Sequence, residues 1–367
     1  MSRLNQIIAR VMAWLDDRLA VSVAVKWFLS VAIPRGAHTY YLGGTALFLF
    51  LVQGLTGTLL TLYYRSSPEA AYDSILYIMT EVNFGWLIRS IHHWSANLMI
   101  AIVFLHMLRT FWHAVYKEPR EMTWLFGVAL LLVTLGFGFT GYLLPWDQRA
   151  FWATTVGTDI AGSVPLVGDL LRQLLRDGTE VTALTLSRFF GAHVLVLPMA
   201  LVGALAVHVY LIHHHGIAEP PHEAGATSTV GEARRKLIPF FPNYTLGEFI
   251  AWYAVLALLI ILASLFPAGL EDKADPLVTP LHTKPEWYFL GVYQFLKVTG
   301  ELRPLLGPQA PILVGLAVPG LVVALLALLP FLDRRAERRP SKRPVALSVA
   351  GIIVVGLAIL TYLGQIS

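Results

Sequence analysis

The sequence predicts an all-α protein that crosses a membrane several times. Of its 367 residues 56% are hydrophobic and only 14% charged, where soluble domains average about 25% charged. The mean hydropathy is +0.64. The apolarity is gathered into seven runs, 42–63, 91–115, 124–144, 193–212, 249–266, 312–331 and 345–363, each near the roughly 20 residues a helix needs to cross a bilayer. Backbone groups cannot go unpaired in hydrocarbon, and no alternating barrel pattern occurs, so these runs are expected to be helices.

The elements follow in chain order. Residues 1–35 carry five basic residues along an amphipathic stretch, with no compact apolar run before a small-residue cleavage site. This predicts a helix lying on the membrane surface rather than a cleavable signal. The first four runs form one group, ending near residue 216. Residues 219–231 are rich in Pro, Gly, Ala, Ser and Thr and read as a linker, so the expected parts are 1–216, a linker over 217–245, and a three-helix part over 246–367. Two connections, 145–192 and 267–311, are far longer than the rest, and loops of that length are usually functional. No internal repeat is evident.

With an odd number of spans the termini lie on opposite sides. The connections on the amino-terminal side, counted with Arg109, carry 17 basic and 10 acidic residues, and the remainder of the chain carries 10 and 13. The positive-inside rule then places the amino terminus in the cytoplasm and both long loops outside. The pI near 9.2 thus reports topology rather than nucleic-acid binding. Cysteine is absent, which excludes disulfides, thiolate metal sites, iron–sulfur clusters and thioether-linked haem on this chain.

Four of the twelve histidines, His92, His106, His193 and His208, fall in the second and fourth runs. An ionisable group at membrane depth is a functional hypothesis by default. The intervals of 14 and 15 residues close to about −40° and +60° around a helix, so each pair shares one broad face, separated by about 21–22 Å along the axis. The second and fourth runs cross in the same direction, so His92 can face His193 near the outer side and His106 can face His208 near the inner side. Two histidines from neighbouring helices form the axial ligand set of a six-coordinate haem. Gly43 and Gly57 in the first run, and Gly127 and Gly141 in the third, repeat the 14-residue interval and are expected to make room for a flat macrocycle at both levels. Arg89 and Arg109 each lie one turn from a histidine, where they could pair with haem propionates or snorkel to the interface. The alternative reading of such histidines and glycines is helix packing. A transporter, or the dihaem anchor of another redox enzyme, would also carry intramembrane histidines.

The long loops contain Pro145-Trp146-Asp147-Gln148 and Pro285-Glu286-Trp287-Tyr288. With GWLIRSIH at 85–92, GYLLPWDQ at 141–148, RFFGAH at 188–193 and TPLHTKPEWYF at 279–289, the chain resembles cytochrome b, the haem-bearing core of quinol-oxidising cytochrome bc complexes. The 15-residue interval in the fourth run, Asp147, and seven runs instead of eight resemble the photosynthetic branch, here with its four-helix and three-helix subunits fused. Ile238 to Thr245 is similar to the respiratory branch instead, and so is the placement of His213, which there contacts quinone; Lys236 stands where that branch has a carboxylate. Tyr41 stands where the photosynthetic branch tethers an extra haem through cysteine.

The resemblance implies oxidation of a lipid quinol at the outer side, two non-covalent b-type haems carrying electrons across the chain, quinone reduction at the inner side, and proton translocation. It implies a Rieske iron–sulfur protein and a c-type cytochrome as partners, a homodimer, and residence in a bacterial cytoplasmic membrane. Under it Glu286 accepts a quinol proton, since a carboxylate in an apolar pocket holds protons more tightly than in water. Tyr288 and residues 152–156 line the same pocket.

Overall fold

The computed structural model of the chain describes residues 3–29, 32–34, 41–218, 237–280, 284–307 and 310–367. Among the described residues seven helices are long and apolar enough to cross a membrane: Tyr41–Thr61, Gly85–Trp112, Glu121–Leu143, Ala183–His215, Phe240–Leu265, Val314–Leu332 and Pro344–Ile366. Each overlaps one of the seven apolar runs. The second, fourth and fifth begin well before the runs do, because residues of mixed polarity continue a helix that hydropathy alone cuts short. The fourth is the longest at 33 residues, since the loop helix Ala183–Gly191 runs on into the span.

The first span packs on the second and the third on the fourth. The fifth lies against the first and second, the sixth against the third, and the helix Trp287–Gly300 against the sixth and seventh. Midway along the bundle Leu49, Met99, Leu201 and Leu259 form a buried cluster from four spans, flanked by Trp94, Leu98 and Phe137. This apolar plug separates the two histidine levels.

The first long loop is largely helical, and the second carries a helix in its later part. The first holds Gln148–Gly162, Gly168–Arg176 and Ala183–Gly191, the second Trp287–Gly300. Asp147 caps the first of these, its carboxylate accepting from the Ala150 amide at 2.9 Å, the usual role of an aspartate before a helix. Arg176, 2% exposed, donates to the Thr179 carbonyl at 2.6 Å and pairs with Asp159 at 3.0 Å, tying the second loop helix to the first.

The all-α architecture has one small exception: Ala32–Pro34 pairs antiparallel with Leu237–Pro239. Each three-residue strand ends in a proline, which disfavours helix in the residue before it. Ile33 is fully buried there, among Tyr244, Ile217 and Phe240. Of the expected linker, residues 219–236, Lys236 included, lie outside the described residues, whereas 237–245 form this strand and a wide turn, Phe240–Tyr244, entering the fifth span.

At the end away from the long loops a charged network joins the second span to the connection between the sixth and seventh. Lys117 Nζ, in a residue 7% exposed, donates to Asp333 Oδ1 at 2.8 Å and to the Arg335 and Glu337 carbonyls at 2.6 and 3.0 Å. Tyr116 donates to Asp333 Oδ2 at 2.5 Å, and Arg343 donates to the Tyr116 hydroxyl and the Phe111 carbonyl. Part of the 333–343 segment, which carries six of the basic residues on this side, is therefore folded back onto the protein.

Candidate functional site

At the level nearer the long loops, the His92 and His193 rings face each other with centroids 6.4 Å apart. Two imidazole nitrogens each about 2 Å from one metal put their ring centres about 6 Å apart, so this separation leaves room for one metal atom between them. At the far level, 14 and 15 residues along the same helices, His106 and His208 are close enough to interact electrostatically. The unequal intervals are reconciled by the backbone. Residues Ala192–Val196 form a widened, π-type turn that includes His193, and such a turn takes up one extra residue. The 15-residue interval thus covers the rotation of a 14-residue interval in regular helix, and the expected offset of about +60° returns toward the −40° of the second span.

The glycines are placed against the histidines. A Cβ on Gly57 would lie 3.2 Å from His92 Cε1, on Gly43 3.2 Å from His106 Cε1, on Gly141 2.5 Å from His193 Cε1, and on Gly127 3.4 Å from His208 Cε1. The four imidazole rings lie directly against these glycines. Each ring lies on a neighbouring backbone, and that support limits its rotation.

Hydrogen bonds then select the free nitrogen. Thr56 and Thr140 donate their hydroxyl hydrogens to the carbonyls four residues back, Val52 at 2.7 Å and Gly136 at 2.9 Å. Their oxygens can then only accept from His92 Nδ1 at 2.9 Å and His193 Nδ1 at 3.0 Å. His208 Nδ1 donates to the Thr123 carbonyl at 2.9 Å. With Nδ1 carrying the proton, Nε2 keeps its lone pair for a metal. His106 Nδ1 is buried with no partner among the described residues. Also among the described residues, no group of three or more His, Cys, Asp or Glu converges. Each pair therefore supplies two axial donors and nothing equatorial, a donor set that suits an iron already held by a macrocycle.

The other expected residues are distributed as follows. Arg89 donates to the carbonyls of Ala268 at 2.6 Å and Gly269 at 2.8 Å, so its charge fastens the segment after the fifth span rather than pointing freely into the bundle. Arg109 stands one turn beyond His106 in the second span. The His213 ring lies 3.8 Å from that of Trp27, and its Nε2 meets the Trp27 carbonyl at 2.7 Å, which brings the amino-terminal amphipathic helix onto the far end of the bundle. Glu248 was missed from sequence because the fifth apolar run starts at Phe249. It sits inside the span, where a Cβ on Gly44 would collide with its carboxylate, and it hydrogen-bonds Tyr244. The available signal was a carboxylate flanked by apolar residues on both sides.

At the loop end Glu286 precedes the helix Trp287–Gly300. Its side chain is 20% exposed and lies 3.8 Å from Arg149 Nη1. Burial raises its proton affinity above that of an ordinary glutamate, while Arg149 opposes the rise. Tyr288 is pressed on the third span, where a Cβ on Gly138 would come 3.0 Å from its hydroxyl. Trp287 Nε1 donates to Asn97 Oδ1 at 2.8 Å, fixing the tetrapeptide to the second span. Trp152 donates to the Val278 carbonyl at 3.2 Å, bridging the two long loops. The Tyr142 hydroxyl, buried beside this group, has no partner among the described residues.

Two family models match the chain: Cytochrome b/b6/petB over residues 30–216 and Cytochrome b(C-terminal)/b6/petD over residues 273–367. The chain is 41% identical over 361 residues to the cytochrome bc complex cytochrome b subunit of Chlorobaculum thiosulfatiphilum, covering 96% of this chain and 80% of that one. It is 46% identical over 214 residues to cytochrome b6 of Heliobacterium mobile, covering 57% of this chain and all of the relative. To the menaquinol:cytochrome c reductase cytochrome b subunit of Geobacillus thermodenitrificans it is 42% identical over 216 residues, 56% of this chain and 96% of that one. The solved structure of a hyperthermophilic respiratory Complex III is similar with a TM-score of 0.82 at 32% identity, covering 96% of this chain and 91% of the other. The chain belongs to the cytochrome b/b6 family and unites in one polypeptide the parts that match its amino-terminal and carboxy-terminal models.

Proposed function

We propose that this multi-pass membrane protein binds two b-type haems, one at each histidine level, and works as the cytochrome b subunit of a bc-type quinol:cytochrome c oxidoreductase. The observation that carries the reading is the opposed His92–His193 pair, 6.4 Å apart, repeated at the far level by His106 and His208. A haem at each level supplies a reversible one-electron centre. The chain's part is to orient the ligands: the glycines admit the rings, and three of the four Nδ1 atoms are hydrogen-bonded, which would leave Nε2 free to hold the iron. Arg109, one turn from His106, is the remaining candidate for a propionate at the far level. Arg89 is engaged with two backbone carbonyls, so a propionate there would have to share it.

A quinol gives up two electrons and two protons, and the loop end has groups suited to receive a proton. Glu286 holds protons more tightly than an exposed glutamate, so it can accept one from the quinol hydroxyl and release it to water on the same side. Tyr288, Trp152 and the buried Tyr142 hydroxyl would border the ring. At the far end Glu248 and His213 are the candidates to deliver protons to a quinone taken up there. The charge asymmetry supports a cytoplasmic far end and an outer loop end, so that proton release outside and uptake inside translocate charge. The chemistry requires an iron–sulfur partner of the Rieske type and a c-type cytochrome, because a chain without cysteine carries neither an iron–sulfur cluster nor a thioether-linked haem. A homodimeric complex is expected and is checked by its mass in detergent.

The test is Glu286→Gln. Quinol:cytochrome c reductase activity should fall, and its dependence on pH should lose the acidic limb. Unchanged activity with an unchanged pH profile would remove Glu286 from the mechanism.

A further inference from the structure

The loop end holds a charge arrangement that the proton-accepting role of Glu286 does not by itself account for. The Arg149 guanidinium lies between two carboxylates from different parts of the second loop. Its Nε donates to Glu271 Oε1 at 2.6 Å, its Nη2 also pairs with Glu271, and its Nη1 stands 3.8 Å from Glu286 Oε1. Glu286 is 20% exposed, while Arg149 at 46% and Glu271 at 41% both reach water. The charge therefore runs from the pocket wall to water. Asp147, the nearest further carboxylate, is already occupied, accepting from the amides of Ala150 at 2.9 Å and Glu271 at 3.3 Å. Those bonds also fix the backbone of Glu271, so the surface carboxylate is presented to Arg149 by a rigid segment.

We propose that Arg149 is a positioning residue for Glu286: one guanidinium, shared with the half-exposed Glu271, holds the Glu286 carboxylate ionised and turned toward the aqueous face, ready to accept a proton and then to release it. The argument is one of competition. When Glu286 is ionised it draws the guanidinium inward against Glu271. When it takes a proton it loses that attraction, and Arg149 relaxes onto Glu271, an ion pair already formed at the surface. The arginine keeps its own proton throughout, so it acts on Glu286 through its field and carries no proton itself. The groups facing Glu286 are Arg149, Asp147 and Glu271, with Tyr142 from the third span and Tyr288 from its own helix. Arg149 is the cation among them. The inference rests on the reading of Glu286 as proton acceptor.

The experiment is the pH profile of quinol:cytochrome c reductase activity in the assembled complex, with both haem absorbance components verified in every variant. Glu286 must be ionised to accept, so activity falls as pH drops through its proton affinity. Arg149→Gln removes the favourable charge and should move the acidic limb to higher pH, by on the order of one unit for a partly exposed pair at this distance. Arg149→Lys should restore the limb. Glu271→Gln removes a competing negative charge and should move the limb the opposite way, to lower pH. A merely structural salt bridge would lower activity in both variants without shifting the limbs in opposite directions. If Glu286→Gln abolishes the limb while Arg149→Gln and Glu271→Gln leave it in place, the role of Arg149 is overturned and that of Glu286 stands. If Glu286→Gln leaves rate and profile unchanged, the proton-acceptor reading falls and this inference with it.

Discussion

At the loop end of the bundle both imidazoles meet threonine hydroxyls, Thr56 and Thr140, and His193 also hydrogen-bonds the Phe137 backbone, whereas at the far level one rests on a backbone carbonyl and the other has a buried Nδ1 with no partner among the described residues. Each of those threonines immediately precedes the glycine that admits a histidine ring. Leu42 and Phe126 precede the corresponding glycines at the far level. Two sites with the same ligands and the same glycine spacing thus differ in what holds the imidazole proton. An acceptor at Nδ1 raises the basicity of the ligating nitrogen, so this difference would set the two proposed haems apart electronically.

The largest effect expected concerns ligation itself. His193→Ala should remove the loop-end absorbance component and leave the far one, and retention of both would break the pairing of His92 with His193. Next come the glycines, which the geometry ranks. Gly141→Ala places a methyl 2.5 Å from His193 Cε1, where no real contact is tolerated, while Gly127→Ala places one at 3.4 Å from His208. The first should lose or severely weaken its haem and the second should keep it, as read by haem content per chain. Equal loss in both variants would mean that the glycines serve something other than the rings.

Smaller shifts sharpen the electronic contrast. Thr56→Val removes the Nδ1 acceptor of His92 and Thr140→Val the hydroxyl that His193 shares with the Phe137 backbone; each should raise the potential of the loop-end component alone, by on the order of tens of millivolts for a full hydrogen bond and less for the shared one. Leu42→Thr would offer His106 a hydroxyl in the place Thr56 has at the other level, and should lower the potential of the far component. Smallest is the effect of Asp333→Asn at the far end. Burial works against ionisation of Asp333, but the bonds from Lys117 and Tyr116 and the nearby Arg343 prevail and hold its carboxyl below the usual range. Its contribution to stability is therefore complete above the unfolded value of about 4 and is lost as pH falls through the lower folded value. At neutral pH the variant should show a modest loss of thermal stability with both haem potentials unchanged.

The spans were legible because about 20 apolar residues can do little else than cross a bilayer. The histidine and glycine intervals were legible because helix geometry converts spacing into direction. The wide turn at His193 was not, although its trace was present: one residue more between His193 and His208 than between His92 and His106. Hydropathy has no means of registering a turn that keeps its apolar face. The loop helices are not legible from hydropathy because, at nine to fifteen residues, none forms an apolar run of spanning length. Glu248 escapes the reading because the apolar run begins at Phe249, whereas the span begins at Phe240. The engagement of Arg89 with Ala268 and Gly269 and the sharing of Arg149 by Glu271 and Glu286 join residues more than a hundred positions apart, which spacing along one helix cannot reveal.

The central claim is that four histidines hold two haems, with the loop-end pair held by threonine hydroxyls. Redox titration of the purified complex with haem counting per chain tests it most directly, run beside Thr140→Val. The account predicts two non-covalent haems per chain titrating as two components, of which the variant moves only one. A single haem per chain, or a shift of both components together, would contradict it.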